Sequence, residues 1–190
     1  MMGLADKVDA SGADLKGIIP KSVDHIFGFI DNEQNSGKNF LVRCAYLEIY
    51  NEQILDLLHK FGSNANAKKS SNNQKVESLK IKEDPDRGIY VQDLTQVICK
   101  TVPDLQRLLD AGCKNRKVGE TAMNKDSSRS HSIFTIYVET SEVGPTGETM
   151  FKVGKMNLVD LAGSERQSKT QATGDRLKEA NQINLSLSAL

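Results

Sequence analysis

The sequence predicts an α/β fold, and three observations carry that reading. Ile19, Val23, Ile26, Phe27 and Ile30 recur at helical spacing around Pro20, a residue suited to a first helical turn. Three β-branched and aromatic runs, at residues 40–50, 132–140 and 150–161, read as strands, the first with both faces partly covered. Leu177, Ala180, Ile183, Leu187 and Leu190 then share one helical face, and that pattern is still running at the last residue, as expected of a fragment.

The remaining elements follow in order. Residues 1–17 are rich in Gly, Asp and Ser and read as a loop. Asn51 is placed to cap a short helix carrying Ile54, Leu55, Leu57 and Leu58. Residues 62–75 fall to Ser, Asn, Ala, Lys and Gly, too polar to bury anything, and read as a flexible loop within one domain spanning 1–190. Short strands are expected at 79–82, 89–94 and 96–100, the first two divided by the turn Asp84-Pro85-Asp86-Arg87-Gly88. Thr101 is a helix cap, with Pro103 in the first turn and Leu105, Leu108 and Leu109 facing inward. Gly144-Pro145-Thr146-Gly147 turns the strand at 132–140 back into the one at 150–161. There is no internal repeat.

Composition excludes more than it identifies. A chain of 190 residues suffices for one domain that buries roughly 70% of its unfolded surface. It is 38% hydrophobic and 26% charged, and no stretch approaches the ~20 apolar residues that cross a bilayer, so no membrane partner and no secretory signal are expected. Twenty-five basic residues balance 25 acidic ones, which leaves no overall footprint for nucleic acid. Cys44, Cys99 and Cys113 lie far apart in apolar runs, as buried thiols of a reducing cytosol do. His25, His59 and His131 are equally dispersed and have no metal-ligand spacing.

Two runs carry chemistry. Asn124-Lys125-Asp126-Ser127-Ser128-Arg129-Ser130-His131 is a dense polar run before a strand. It is either a solvated loop with local turns, or a set of hydroxyls that ligate Mg²⁺ and orient a water while Arg129 forms an ion pair. In Met156-Asn157-Leu158-Val159-Asp160-Leu161-Ala162-Gly163-Ser164-Glu165 an apolar strand ends in a carboxylate, followed closely by a small residue and a glycine. P-loop nucleotide hydrolases sense metal and terminal phosphate in that way, because a bare glycine lets a backbone N–H approach the phosphate. Strands also end in Asp and Gly for turn reasons alone.

Taken together, the Asn-x-x-Ser-Ser-Arg-Ser-His run and the later Asp-Leu-Ala-Gly-Ser-Glu run resemble the two nucleotide switches of the kinesins. Tyr46-Leu47-Glu48-Ile49-Tyr50-Asn51-Glu52 resembles a core strand and following helix of that motor. Ile183-Asn184-Leu185-Ser186-Leu187-Ser188-Ala189-Leu190 resembles the start of its microtubule-binding relay helix. The resemblance covers essentially the whole chain. It implies part of a kinesin-type P-loop NTPase sheet with helices on both faces. Val118-Gly119-Glu120-Thr121-Ala122-Met123-Asn124 and Thr173-Gly174-Asp175-Arg176-Leu177-Lys178-Glu179 look most like the intraflagellar-transport subfamily.

Carried over by position, the resemblance implies ATP and Mg²⁺ as cofactors. Asn124 lies at the nucleotide, Ser127 approaches the Mg²⁺, and Ser128 approaches the γ-phosphate and attacking water. Asp160 holds the metal through water, the Gly163 backbone reports the γ-phosphate, and Arg129 and Glu165 pair to close the site. Arg166 and Lys169, with Arg43, Lys82 and Arg87, match basic contacts to the acidic face of tubulin, although each alone reads as an ordinary solvated charge. The family further implies a microtubule-stimulated ATPase of the cytoplasm and cytoskeleton, or of a cilium or flagellum, dimerising through segments outside this chain.

Two departures stand out. Gln171 replaces the glycine usual in the Lys-Thr-Gly-Ala run, which stiffens that loop modestly. No Gly-x-x-x-x-Gly-Lys-Ser/Thr phosphate cradle occurs in the chain, so the chain alone is expected to be inactive. The alternative is a non-catalytic microtubule-binding protein derived from a kinesin, which would have no chemical need for Ser128, Gly163 and Glu165 together. A GTPase-like switch would need a base-reading Asn-Lys-x-Asp element, and Asn124-Lys125-Asp126 lacks its spacing and its preceding apolar strand.

Overall fold

The structure, a computed structural model, describes residues 3–8, 14–33, 35–61, 78–86, 88–123 and 130–162. The reading of 62–75 as a flexible loop and of the final helix both lie outside these residues. Among the described residues the fold is mixed α/β, with strands β1 (Gly3–Val8), β2 (Asp14–Lys16), β3 (Asn39–Tyr50), β4 (Gln53–Asp56), β5 (Ile81–Asp84), β6 (Gly88–Val91), β7 (Val97–Cys99), β8 (His131–Val143) and β9 (Thr149–Asp160), and helices α1 (Ile18–Asn32) and α2 (Val102–Met123). The main sheet runs β4-β3-β8-β9, with β7 also pairing β3. The adjacency of the strands read at 40–50, 132–140 and 150–161 is therefore as expected, and β9 ends the described order.

The chain falls into two compact units. The first comprises Met1–Cys44, Val97–Asp110 and Thr135–Leu158. Here the N-terminal segment, read as a loop, forms an antiparallel β1–β2 pair. Its short polar strands carry no apolar alternation, so backbone pairing alone defines them. Helix α1 buries Ile19, Val23 and Phe27, as its spacing predicts. Thr101 caps α2: its Oγ1 accepts from the Asp104 N–H at 3.3 Å, while Asp104 Oδ2 accepts from the N–H groups of Thr101 and Lys100 at 3.0 and 3.1 Å. This is a capping box with Asp in place of the usual Glu. The bond with Thr101 leads the causes that hold the Asp104 carboxyl below its ordinary range. Leu105, Leu108 and Leu109 are buried, as expected.

Strand β7 lies antiparallel to β3, with Val42 opposite Cys99 and Cys44 opposite Val97. Cys44 and Cys99 are buried free thiols, as read, and Cys113 is half-buried. A hydrogen bond between Cys44 and Cys99, reinforced by burial, pushes the Cys44 thiol far up, and the same bond pulls Cys99 down.

The second unit comprises Ala45–Gln96, Ala111–Phe134 and Val159–Leu190. Its core includes Tyr46, Leu47, Ile54, Leu57, Leu58 and Phe134. The expected helix after Asn51 is instead β4, antiparallel to β3 with Ile49 opposite Ile54 and Tyr50 opposite Gln53, followed by a single 3-10 turn at His59–Phe61. Asn51 and Glu52 both take positive φ, 49° and 60°, the geometry of a two-residue hairpin turn whose twist matches the strands. That turn overrides the capping propensity of Asn51. Buried Asp56 closes the far side, its Oδ1 accepting from the Leu58 N–H at 2.7 Å and its Oδ2 from the Thr95 N–H at 3.0 Å. Strands β5 and β6 form a separate antiparallel pair around the predicted turn. Gly88 supplies φ 68° and Asp84 Oδ1 accepts from the Asp86 N–H at 2.9 Å.

Candidate functional site

The site grows from residues of the second unit that four elements supply. Strand β9 delivers Asp160 at its C-terminal end, and Leu161 and Ala162 follow directly. Strand β8 opens at His131, just after Ser130, while β3 contributes Glu48 and α2 contributes Arg116.

Glu48 is 2% exposed, so a lone carboxylate there would cost several kcal/mol and needs a cation. Arg116, at 15% exposure, supplies it through Nε, 3.5 Å from Glu48 Oε1. The terminal nitrogens turn elsewhere. Nη1 lies 3.6 Å from Asp160 Oδ2 and donates to Ser132 Oγ at 3.3 Å. Nη2 donates to the Ser130 carbonyl at 3.3 Å and to Ser130 Oγ at 3.1 Å. One guanidinium thus touches both chemistry-bearing runs, at Ser130 and at Asp160.

A second link joins the same runs. His131, 1% exposed, accepts the Ala162 N–H at Nδ1, 2.9 Å away. Acceptance at Nδ1 implies a neutral ring with its proton on Nε2. The Ala162 backbone, just after Asp160, is thereby held by the last residue of the Ser-Ser-Arg-Ser-His run.

Behind this cluster, Tyr46 stacks edge-on against Phe134, ring centroids 5.5 Å apart and planes at 88°. Burial, then the neighbouring Cys113, raises the Tyr46 phenol above its ordinary range, against the lowering effects of Ser132 and Arg116. Among the described residues no group of three or more His, Cys, Asp or Glu forms a metal cage. The Asp160 carboxylate, 51% exposed at the strand end, is a hard oxygen donor accessible to a hydrated Mg²⁺, which suits an ion that keeps most of its water.

Of the residues singled out from sequence, Asp160, Arg43 and Lys82 are described. Asn124, Ser127, Ser128, Arg129, Gly163, Glu165, Arg166, Lys169 and Arg87 lie outside the described residues. Arg43 belongs to the first unit, where it pairs with Glu139 and sits over the Tyr137 ring at 5.6 Å from its centroid. Lys155 approaches the same ring at 5.8 Å. Arg43 is thus held in an ionic and cation–π arrangement rather than extended as a simple solvated charge. Lys82 is exposed on β5 in the second unit.

Sequence reasoning missed Arg116, and its signal was present. Leu105, Leu108, Leu109, Gly112 and Arg116 continue one helical face, so Arg116 is a cation at an inward position, where only a buried acid can balance it. Glu48, inside the Tyr46–Glu52 run, is that acid. His131 was read only for metal spacing, and its role as an acceptor needed the fold.

Comparison with known proteins converges on one family. A profile of the kinesin motor domain matches residues 1–190. The chain is 50% identical over 182 residues to the kinesin-like protein klp-20 of Caenorhabditis elegans, covering 96% of this chain and 25% of that protein. It is 42% identical over 203 residues to the kinesin-like protein KIF3C of Rattus norvegicus, covering 93% of this chain and 24% of that protein. The chain therefore spans about a quarter of the length of these curated relatives. Among solved structures, a fast kinesin superposes with a TM-score of 0.74 at 36% identity, covering 97% of this chain and 46% of that one. A KIF14 dimer in its two-heads-bound state, with AMP-PNP and in complex with a microtubule, superposes at 0.72 and 37% identity, covering 93% and 47%. With the whole chain inside the family profile and its fold shared with solved motors, the chain belongs to the kinesin motor domain family.

Proposed function

We propose that this chain is a segment of a microtubule-based motor ATPase, carrying both nucleotide switches and much of the microtubule-binding surface, and couples ATP hydrolysis to movement along microtubules in the complete protein. The observation that carries this reading is the junction of the two runs: Arg116 reaches both Ser130 and Asp160, and His131 holds the Ala162 N–H. Two segments that must respond together to one phosphate have reason to be fastened to each other.

In this reading Asp160 and the Ser127 hydroxyl hold Mg²⁺, the carboxylate through water, and Asn124, Ser128 and the Gly163 backbone meet the nucleotide. Bound Mg²⁺ neutralises charge on the phosphates. Arg129 and Glu165 close the site after ATP binds. Arg43, Lys82, Arg87, Arg166 and Lys169 are the basic residues assigned to the acidic surface of tubulin, and the microtubule-bound KIF14 relative supports the microtubule as partner. The 190 residues alone do not hold ATP·Mg²⁺ tightly, since a few hydroxyls and one carboxylate do not replace a cradle of backbone N–H groups and its lysine. The segments at 118–124 and 173–179 favour a role in intraflagellar transport, which a tagged protein concentrating in cilia would support.

The test uses a complete motor polypeptide containing this sequence. Glu165→Ala and Arg129→Ala should bind ATP nearly as the parent does and lose about 10²-fold or more in microtubule-stimulated turnover. Weak ATP binding with normal turnover at saturation would show that the closing role is wrong. Salt-sensitive microtubule binding that no nucleotide alters would favour the non-catalytic reading instead.

A further inference from the structure

We propose that Cys44 and Cys99 form a two-sulfur site, on one face of the β3–β7 pair, for a soft thiophile that bonds both sulfurs and leaves no net charge, the class of the trivalent organoarsenicals. The site uses none of the residues assigned above to nucleotide, metal or microtubule.

The strand register brings the pair together. Val42 stands opposite Cys99 and Cys44 opposite Val97, so Cys44 and Cys99 are diagonal neighbours whose side chains leave the sheet on the same face. Both are buried, at 0% and 2% exposure. The two thiols are hydrogen-bonded to each other, and Cys99 Sγ donates to the Val97 carbonyl at 3.8 Å. The sulfurs are therefore adjacent before any ligand arrives. Strand β7 has only three residues and pairs with β3 alone among the described residues, so few ladder bonds need open for a small reagent to enter.

Chemistry narrows the ligand. Diagonal neighbours stand roughly 7–8 Å apart at Cα, while a disulfide spans at most about 7 Å, so an atom inserted between the sulfurs suits this spacing better than a direct S–S bond. A closed zinc site needs four ligands, and among the described residues no group of three or more His, Cys, Asp or Glu forms a cage. A univalent soft cation such as Cu(I), held by two thiolates, leaves a net negative charge that burial opposes. The nearby Asp104 carboxylate opposes it further. A trivalent arsenical with one organic substituent leaves no charge. With phenylarsine oxide two As–S bonds form, the arsenic–oxygen bond breaks, and both thiol protons leave with that oxygen as water. Arsenic stays trivalent, so the step needs no oxidant or reductant.

The experiment treats a complete motor polypeptide containing this sequence with phenylarsine oxide, locates arsenic-bridged peptides by proteolysis and mass spectrometry, and measures thermal midpoints with and without the reagent. In the parent, one bridge should join the peptides that hold Cys44 and Cys99. Cys44→Ala and Cys99→Val each leave one sulfur, and retention of the arsenical at that sulfur should weaken about 10²-fold or more, because the second bond no longer forms intramolecularly. The reagent should also raise the parent's midpoint more than either variant's, since it joins sulfurs that the fold holds together and the unfolded chain keeps far apart. Absence of the Cys44–Cys99 bridge in the parent, or a bridge that forms only as the midpoint falls, would overturn the proposal. So would undiminished retention at the remaining sulfur of a folded variant, or a direct disulfide joining the two peptides in place of the arsenic bridge. The parent's peptide map decides the matter even where a variant fails to fold.

Discussion

Gly112 lies where α2 crosses the Tyr46 ring. A Cβ added there would meet Tyr46 Cδ1 at 2.2 Å and Cε1 at 2.7 Å, far inside any real contact. The ring would have to retreat by roughly 1 Å to restore ordinary van der Waals separation. It has no easy retreat, because Tyr46 is buried and stacked edge-on against the buried Phe134. Overpacking of this kind costs about 1–3 kcal/mol. Alanine returns about 1 kcal/mol of helix propensity relative to glycine. Given how deep the overlap is, Gly112→Ala should destabilise by about 2 kcal/mol net, which lowers a thermal midpoint by about 4–8 °C in a unit of this size. Differential scanning calorimetry of parent and variant, in the same complete motor polypeptide, reads this directly. A second variant checks the cause: combining Gly112→Ala with Tyr46→Leu should cost less than the two single changes together, because the smaller side chain vacates the overlap. A midpoint at or above the parent value, or strict additivity in the double variant, would refute the reasoning.

Three further outcomes are expected. Glu52 holds φ 60° in the two-residue turn after β3, a conformation that costs a side chain about 1 kcal/mol, so Glu52→Gly should raise the unfolding midpoint, and a fall would mean that the carboxylate has a partner worth more than the strain. Thr101→Ala removes the cap of α2 and should cost about 1 kcal/mol, seen as a shift of the denaturant midpoint with an unchanged slope; an unchanged midpoint would show that the cap contributes nothing. Under native conditions a thiol reagent should modify half-buried Cys113 before buried Cys44 and Cys99, and peptide mapping that found Cys44 first would contradict the packing of β3 against β7.

The elements whose patterns are long and repetitive were legible without a structure. Helix α1, the capped start of α2, the three long strands and the turn at residues 84–88 all follow from spacing, caps and turn chemistry, because those signals are local and each agrees with the fold around it. The Asp160 carboxylate was equally legible, since its place at the end of an apolar strand is a property of the sequence.

What the sequence could not decide were choices between local options of similar energy. After Asn51 the same residues satisfy a capped helix or a hairpin turn, and pairing of Ile54 against Ile49 decided for the strand. Residues 3–8 and 14–16 carry no apolar alternation, and only mutual backbone pairing makes them strands. The junction of the two runs is likewise a tertiary product: Glu48, Arg116, Ser130 and Asp160 come from four separate stretches of chain, and no spacing rule brings them within 4 Å. The sequence by itself determined which groups could do chemistry, because that depends on residue type and local backbone. Only the tertiary structure decided which of them hold one another, because burying Glu48 forces a cation to it and the reach of that cation selects the rest.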